Sequence, residues 1–299
     1  MNRRDFLRAN SSICAGWALS KAVPVLANTP PAGEWRTFEV VTKVKLLKPN
    51  GISHIWLPAP LIRNTPYQNT ISTQFEAKGG MATLSKDKQS ALGIVSAMYA
   101  ANVMPTLTLT SRVELKNYAV DLSSRATARP ASRTELDYFL RSSRYVPTDG
   151  IVKQTALKAG LPARHVYGLR IAKSDLGYKS LGLATDIATK GQHCRAEVYL
   201  REHGWVPVDP AEVRKVALEE PPGNRPLSNE IVSGARDYLF GSWEMNWMAY
   251  NYAHDVDLPG SASKPLVYFM YPQAETSEGR SDPFDPDNFK YEITVKEIS

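Results

Sequence analysis

Cysteine is scarce in this sequence of 299 residues, which contains only Cys14 and Cys194. Cys14 falls in an amino-terminal segment that we expect to be removed, so Cys194 would be the single thiol of the mature chain. A single thiol cannot form an intramolecular disulfide, and it is either buried or reactive. Any thiol chemistry of the mature chain therefore depends on Cys194.

Basic clusters and metal-binding spacings are also absent from the sequence. The formal net charge is +6, and residues 1–27, with four basic residues and one acidic residue, contribute +3 of it. No group of Lys and Arg is interleaved with aromatic residues, which argues against a nucleic-acid-binding surface. The five histidines do not follow a ligand spacing such as H-x-x-x-H, and no serine lies in G-x-S-x-G. We therefore expect no nucleic-acid partner, no metal, no cofactor and no serine hydrolase.

Long apolar runs are missing after the first thirty residues, so the mature chain should have no stable membrane span. Residues 2–8 are NRRDFLR, a moderately apolar stretch follows, and Val25-Leu26-Ala27 offers small residues for cleavage. The pattern resembles a twin-arginine signal peptide over residues 1–27. It predicts a periplasmic or other extracytoplasmic location, and the alternative is a basic amphipathic anchor.

Residues 33–145 have the pattern of an antiparallel β domain. TFEVVTKVKLL alternates apolar and polar residues, Pro49-Asn50-Gly51 is a turn signal, and ISHIWLPAPL continues as a second strand. A further strand-turn-strand pattern has Gly79-Gly80 at its turn. The regular recurrence of turn signals predicts a β-sandwich. ALGIVSAMYA fits either a strand or a short helix.

The sequence after this β domain, residues 146–299, mixes helical and strand patterns. Just before it, Ser132 followed by Glu135 is a capping-box spacing that predicts a helix over TELDYFLRSS. A short helix over 151–160 should end at Gly160. Three strands should follow in the stretches LPARHVYGLRIA, HCRAEVYL and WVPVDP. The rest of the chain predicts a helix over 229–252 and two last strands over 265–273 and 290–298.

The runs HCRAEVYL and WVPVDP flank a turn and predict a β-hairpin. Since side chains alternate along a strand, His193 and Arg195 share one face and Cys194 lies on the other. If the loop has an odd number of residues, such as 201–203, Asp209 lies opposite Arg195 and one diagonal step, roughly 7 Å, from His193. A carboxylate there would fix the tautomer of the imidazole. An even loop would separate the two side chains.

The same alternation keeps Cys194 away from His193, so we expect Cys194 to be a small buried residue behind the sheet and not a nucleophile. Arg195 and Glu197 share the His193 face and are either a substrate-contacting pair or a plain cross-strand ion pair.

Trp243 and Trp247, with Tyr250, would form one stripe on the predicted helix over 229–252. That stripe either packs on the sheet or lines a peptide or glycan groove, so Trp243 and Trp247 are candidate substrate contacts.

Three motifs resemble the bacterial transglutaminase-like family, relatives of papain-type thiol enzymes: LPARHVYGLRI, QHCRAEVYL and HGWVPVDPAEVRKV. The resemblance extends over nearly all of residues 33–299. It implies a cysteine protease-like fold and a Cys-His-Asp triad, with His193 as the general base and Asp209 as the group that orients it. The chemistry implied is acyl transfer or hydrolysis at glutamine or peptide amides.

The sequence departs from the family where its nucleophile should be. The family places the Cys on a helix directly before the G-L-P-A-R strand, whereas residues 143–159 of this chain contain no Cys. The resemblance therefore predicts a pseudoenzyme with an incomplete core. The alternative function is a non-catalytic protein that binds envelope peptides or glycans.

Loss of the Cys helix should leave one face of the sheet without its cover. We expect Val166, Leu169 and Ile171 to be exposed there, with Val152 and Leu157 covering part of the face.

The predicted class is α+β: an amino-terminal antiparallel β-sandwich over 33–145, then a truncated transglutaminase-like, papain-like core over 146–299. The expected partner is a protein or peptide substrate or an envelope polymer.

Overall fold

The computed structural model describes residues 33–123, 130–141 and 159–298. Within these ranges the α-helices are α1 (Arg133–Leu140), α2 (Pro210–Glu219) and α3 (Glu230–Leu239). A short 3-10 helix spans Lys179–Leu181. The strands, in chain order, are β1 (Arg36–Leu46), β2 (Ser53–Ala59), β3 (Gln68–Lys78), β4 (Met81–Asp87), β5 (Leu92–Tyr99), β6 (Thr106–Leu115), β7 (Tyr118–Ala119), β8 (Ala163–Arg170), β9 (Gln192–Leu200), β10 (Gly204–Val208), β11 (Ser242–Trp243), β12 (Trp247–Asn251), β13 (Gln273–Thr276), β14 (Gly279–Arg280) and β15 (Phe289–Glu297).

Antiparallel sheets dominate the described residues. The first sheet has the order β15-β1-β6-β3, and the second has the order β14-β13-β2-β5-β4. The third sheet, β10-β9-β8-β12, contains the hairpin with His193, and β11 pairs with β7 in a small ribbon. Few helices accompany these sheets, so the α+β class is confirmed.

The first two sheets form a sandwich because β1 alternates between a buried and a more exposed face. At one end of β1, Val44 and Leu46 pack against Ile55 and Leu57 of the second sheet. The other end of the same buried face of β1 packs against the third sheet. The first sheet therefore supports both the sandwich and the sheet that carries the hairpin.

The last strands of the chain return to the first two sheets. β15 pairs with β1 from Phe38↔Glu297 to Leu46↔Phe289, and β13 pairs with β2. The predicted strand over 265–273 is wrong for most of its length, because β13 begins only at Gln273. The predicted boundary at residue 145 lies outside the described residues, and the division into two domains stays a prediction.

Helix α1 begins where its capping signal places it. The Ser132 side chain accepts a hydrogen bond from the Glu135 backbone N–H at 3.1 Å. The Glu135 carboxylate accepts hydrogen bonds from Arg164 at 3.2 Å and from Trp205 Nε1 at 3.1 Å. The helix is thereby tied to strands β8 and β10.

The predicted helix over 229–252 is wrong in its second half. Helix α3 ends at Leu239, and Gly241 follows with φ +94°, a conformation that stops a helix and suits glycine. The Trp- and Tyr-rich residues beyond it form β11 and β12, and β12 pairs with β8. Trp243 and Trp247 therefore lie on two short strands and not on a helical stripe.

The face that we expected to be exposed is buried. Val166 and Leu169 are 0% exposed and Ile171 is 4% exposed. Leu169 and Ile171 pack with Phe38 of β1 and other apolar residues of the first sheet, and Val166 packs in a cluster with aromatic residues of α1, β11 and β12. Val152 and Leu157 lie outside the described residues. Among the described helices, none is long and apolar enough to cross a membrane.

Candidate active site

The hairpin β9–β10 sets the geometry of the site. β9 ends at Leu200 and β10 begins at Gly204, so residues 201–203 form the loop. The register runs from Gly204↔Leu200 to Val208↔Ala196. The next residue, Asp209, therefore lies at the level of Arg195, as predicted for an odd loop.

His193 and Asp209 form a hydrogen-bonded pair. The His193 Nε2 lies 3.0 Å from Asp209 Oδ2. Asp209 is also the N-cap of helix α2, and its Oδ1 accepts the Glu212 backbone N–H at 2.9 Å. One carboxylate therefore starts the helix and holds the imidazole, which fixes its orientation at the end of β10.

Burial sets the protonation of this pair. Burial lowers the pKa of His193 to about 3, although Glu212 opposes this shift. Burial raises the pKa of Asp209 to about 6, and the positive charge of Arg195 opposes that shift. At neutral pH the imidazole is neutral and the carboxylate is ionised, so Nε2–H donates to Asp209 and Nδ1 carries the lone pair. The pair thus has the protonation of a general base.

A second carboxylate, which we did not predict, lies beside the same nitrogen. Glu212 Oε1 is 3.3 Å from His193 Nε2. The same oxygen is 3.2 Å from Arg170 and 3.5 Å from Arg195. The sequence did contain a signal, since the cap residue Asp209 followed by Glu212 is a capping-box-like spacing.

His193, Asp209 and Glu212 place their ligand atoms within 4.8 Å of one another, which is a metal-ligand arrangement. The guanidinium groups of Arg170 and Arg195, however, already contact these carboxylate oxygens. Two fixed positive charges at that distance would repel a divalent cation. The residues therefore favour a closed ion network over a metal site.

The predicted substrate contacts Arg195 and Glu197 are 2% and 1% exposed. Arg195 donates to the Glu244 carbonyl at 2.8 Å and to Asn246 Oδ1 at 3.1 Å. Glu197 accepts from Arg164 Nε at 2.5 Å. Both side chains thus have internal partners, and their contact with a substrate stays a prediction.

Trp247 packs directly behind His193. Its Nε1–H donates to the His193 carbonyl at 2.9 Å, and its side chain lies over Gly168, the cross-strand partner of His193. A Cβ added at Gly168 would lie 2.3 Å from the Trp247 ring. Trp243 packs on Trp247 at 5.6 Å, and the two are 1% and 2% exposed. In this structure Trp247 contacts His193 from within the core, and a substrate contact for either tryptophan stays a prediction.

Cys194 lies on the opposite face of β9. It pairs across the sheet with Tyr167, is half-buried, and packs against the apolar cluster of the first sheet. Burial raises the pKa of its thiol, and the charge of Asp209 adds to the effect. A thiol in this setting is a poor nucleophile.

Comparisons with known proteins cover this part of the chain. Residues 116–210 match the model of the Transglutaminase-like superfamily. The matched region contains β8, β9, β10 and both His193 and Asp209. Residues 116–210 are therefore similar to a transglutaminase-like core, and the fold of the described residues is α+β.

Two similar proteins were found. An uncharacterized protein of Haemophilus influenzae is 38% identical over 152 residues, which are 48% of this chain and 40% of that protein. The match thus spans less than half the length of this relative. A crystal structure named "Putative Cysteine Protease" from Cytophaga hutchinsonii is 10% identical with a TM-score of 0.45, over 89% of this chain and 92% of that one.

Proposed function

We propose that this protein is a transglutaminase-like protein without triad-dependent turnover, which binds peptide amides at the His193 site. The observation that carries the proposal is the placement of His193 beside Asp209 on one face of β9 while Cys194 lies on the other. Activation of a thiol requires the base within hydrogen-bond reach of the sulfur. The sequence supplies no other cysteine beyond Cys14, and residues 143–159 contain none.

The family chemistry shows what the chain would lose. A thiolate attacks the amide carbonyl, the amine leaves with a proton from the imidazole, and an amine or water then releases the acyl group from sulfur. Without the sulfur the first step has no nucleophile, and no acyl-enzyme forms for the amine or water to attack. Loss of a nucleophile of this kind costs on the order of a millionfold in kcat.

The remaining site still suits a binding role. The His193 side chain is 12% exposed, so the ring is mostly held by protein. Because Nε2–H is directed to Asp209, Nδ1 is the nitrogen left to accept a hydrogen bond. A neutral acceptor held in this way is complementary to the N–H of a peptide amide.

A turnover and labelling experiment tests the catalytic half of the proposal. The mature chain and its Cys194→Ser variant would be given a blocked glutamine dipeptide with and without a primary amine, and released ammonia and coupled product measured. We expect equal, background-level signals from the two. Iodoacetamide should label Cys194 slowly, with a rate that still rises above pH 8.5. Turnover that disappears in Cys194→Ser would overturn the proposal.

A titration tests the binding half. The same dipeptide would be added to the mature chain while the His193 ring and the Trp247 indole N–H are followed by NMR. We expect both signals to shift together and the Trp247 shift to be lost in His193→Phe. No shift at millimolar peptide would remove peptide amides as the ligand class.

We also propose that the chain is exported through its twin-arginine motif. The support is the NRRDFLR stretch followed by Val25-Leu26-Ala27. Replacement of Arg3 and Arg4 by lysine should keep the full-length chain in the cytoplasmic fraction, whereas the natural sequence should give a shortened periplasmic chain. Equal distribution of the two forms would contradict export by this route.

A further inference from the structure

We infer that Glu212 is an alternative hydrogen-bond acceptor for His193 Nε2–H, a positioning residue that can hold the imidazole when Asp209 cannot. The inference deepens the proposed function because it concerns the same site. It rests on that function only where it treats Nδ1 as the atom that accepts a hydrogen bond from a peptide amide. It is carried by two distances from one nitrogen, 3.0 Å to Asp209 Oδ2 and 3.3 Å to Glu212 Oε1.

Helix α2 explains why two carboxylates reach one nitrogen. Asp209 caps the helix, and the backbone N–H that it accepts belongs to Glu212. The two side chains therefore leave the same turn on the same side. The first turn of a helix also favours negative charge through the orientation of its N–H groups.

Two arginines make the second carboxylate tolerable in the interior. Glu212 is 1% exposed, and an unpaired carboxylate there would be strongly unfavourable. Its Oε1 lies 3.2 Å from Arg170 and 3.5 Å from Arg195, while Asp209 Oδ2 lies 3.7 Å from Arg195 Nε. Two negative and two positive groups thus enclose the neutral ring.

The arrangement has a consequence for the free nitrogen. With a single acceptor, the imidazole is held by one hydrogen bond and its ring plane can rotate about that bond. With a second acceptor 3.3 Å away, rotation brings Nε2–H towards another carboxylate oxygen and not into an apolar environment. The orientation of Nδ1 is therefore kept. The Nε2–H tautomer persists even when Asp209 cannot accept a hydrogen bond from His193.

The alternative is that Glu212 only balances the charges of Arg170 and Arg195. The two views differ in one observable, the tautomer of His193, which imidazole ¹⁵N chemical shifts report without any need for turnover. Isosteric variants preserve the packing: Asp209→Asn, which keeps a good N-cap residue, Glu212→Gln, and the double variant. Glu219→Gln is the matched control, because Glu219 lies on the same helix but pairs with Lys215 at the surface.

We expect the Nε2–H tautomer to persist in Asp209→Asn and in the control, and to be lost in the double variant. Loss of that tautomer in Asp209→Asn alone, with Trp247 Nε1–H still bonded to His193, would overturn the inference. If the double variant does not fold, Glu212→Asp in the Asp209→Asn background replaces it, since the shorter side chain should withdraw from Nε2. A Cys194-dependent turnover would refute the proposed function but leave this result unchanged.

Discussion

On strand β9 the face with charged side chains is more buried than the face with apolar side chains, which is the reverse of the usual arrangement. The face with Arg195 and Glu197 is buried, whereas the face with Cys194, Ala196 and Val198 is only half-buried. Charged side chains are seldom fully buried unless they are paired. On β9 they are paired: Glu197 with Arg164, and Arg195 with Asp209 and Glu212.

The comparison teaches that the charged face, and not the apolar one, holds this region of the core in a single arrangement. Each buried charge needs its partner at a specific distance. Because Asp209 and Glu212 are held in this way, the imidazole of His193 beside them also has a fixed position. The apolar face imposes no such demand, and the imidazole of His193 is directed to Asp209, on the side of the strand away from the thiol. Four predictions test this difference, from the largest expected effect to the smallest.

Removal of a buried charge should have the largest effect. Glu197→Ala leaves Arg164 buried beside only the Glu135 carboxylate, so the free energy of unfolding should fall by about 3–5 kcal/mol. Urea unfolding measures the change. The control is Glu39→Ala, whose partner Arg112 lies directly opposite on the neighbouring strand but near the surface, and it should cost about 0–1 kcal/mol. Similar losses in the two variants would contradict the role of burial.

The second largest loss of stability should come from filling the small space at Gly168. A Cβ at this position would meet the Trp247 ring and the Met248 carbonyl, so Gly168→Ala should destabilise the fold by about 1–3 kcal/mol. The indole N–H signal of Trp247 should shift as its bond to His193 lengthens. Gly234→Ala is the control: it lies in helix α3, where an added Cβ would make only an ordinary contact, 3.9 Å from the Tyr178 hydroxyl, and should stabilise by about 0.5–1 kcal/mol. An unshifted indole signal in Gly168→Ala would disprove the contact.

The pH dependence of stability should show two opposing contributions from the site. The pKa of His193 is lowered in the fold to about 3, so below about pH 6.5 the unfolded chain takes up a proton that the native chain does not, and stability falls. The pKa of Asp209 is raised to about 6, so between about pH 6 and 4 the native chain takes up a proton first, and stability rises.

A substitution separates these contributions. His193→Gln removes the destabilising contribution of His193 at low pH. The stability of this variant relative to the natural chain should therefore increase as the pH falls from 7 to 5. Chemical unfolding at three pH values measures the difference. A difference that stays constant over this range would show that His193 is not kept neutral by the fold.

The thiol should matter least. Cys194→Ala removes a half-buried sulfur from the edge of an apolar cluster and should lower the free energy of unfolding by no more than about 1 kcal/mol. Thermal unfolding of the two chains tests this. A loss comparable to that of Glu197→Ala would reverse the comparison between the faces.

Local patterns were enough to predict the part of the site that depends on one hairpin. The alternation of HCRAEVYL and the loop length together fix the side to which His193 and Asp209 point, and both are visible in the sequence. The start of helix α1 was predictable for the same reason, because Ser132 caps its own helix.

The remaining parts depend on residues that are distant in the sequence. The cover over Leu169 and Ile171 comes largely from β1, β6 and β15, which no local periodicity links to β8. The tryptophan-rich stretch after Gly241 looked helical by spacing, but pairing with β8 and β7 makes it extended. Glu212 was missed because its spacing from Asp209 marks only a helix start, whereas its closeness to His193, Arg170 and Arg195 depends on the fold.

The pairing of β15 with β1 also affects how the protein can fold during its synthesis on the ribosome. Until residues 289–297 have left the ribosome, β1 keeps one unpaired edge and the apolar cluster around Phe38 lacks Ile293 and Val295. The first sheet thus cannot close until these residues are synthesised, and a nascent chain truncated before Phe289 should be prone to aggregate through that edge.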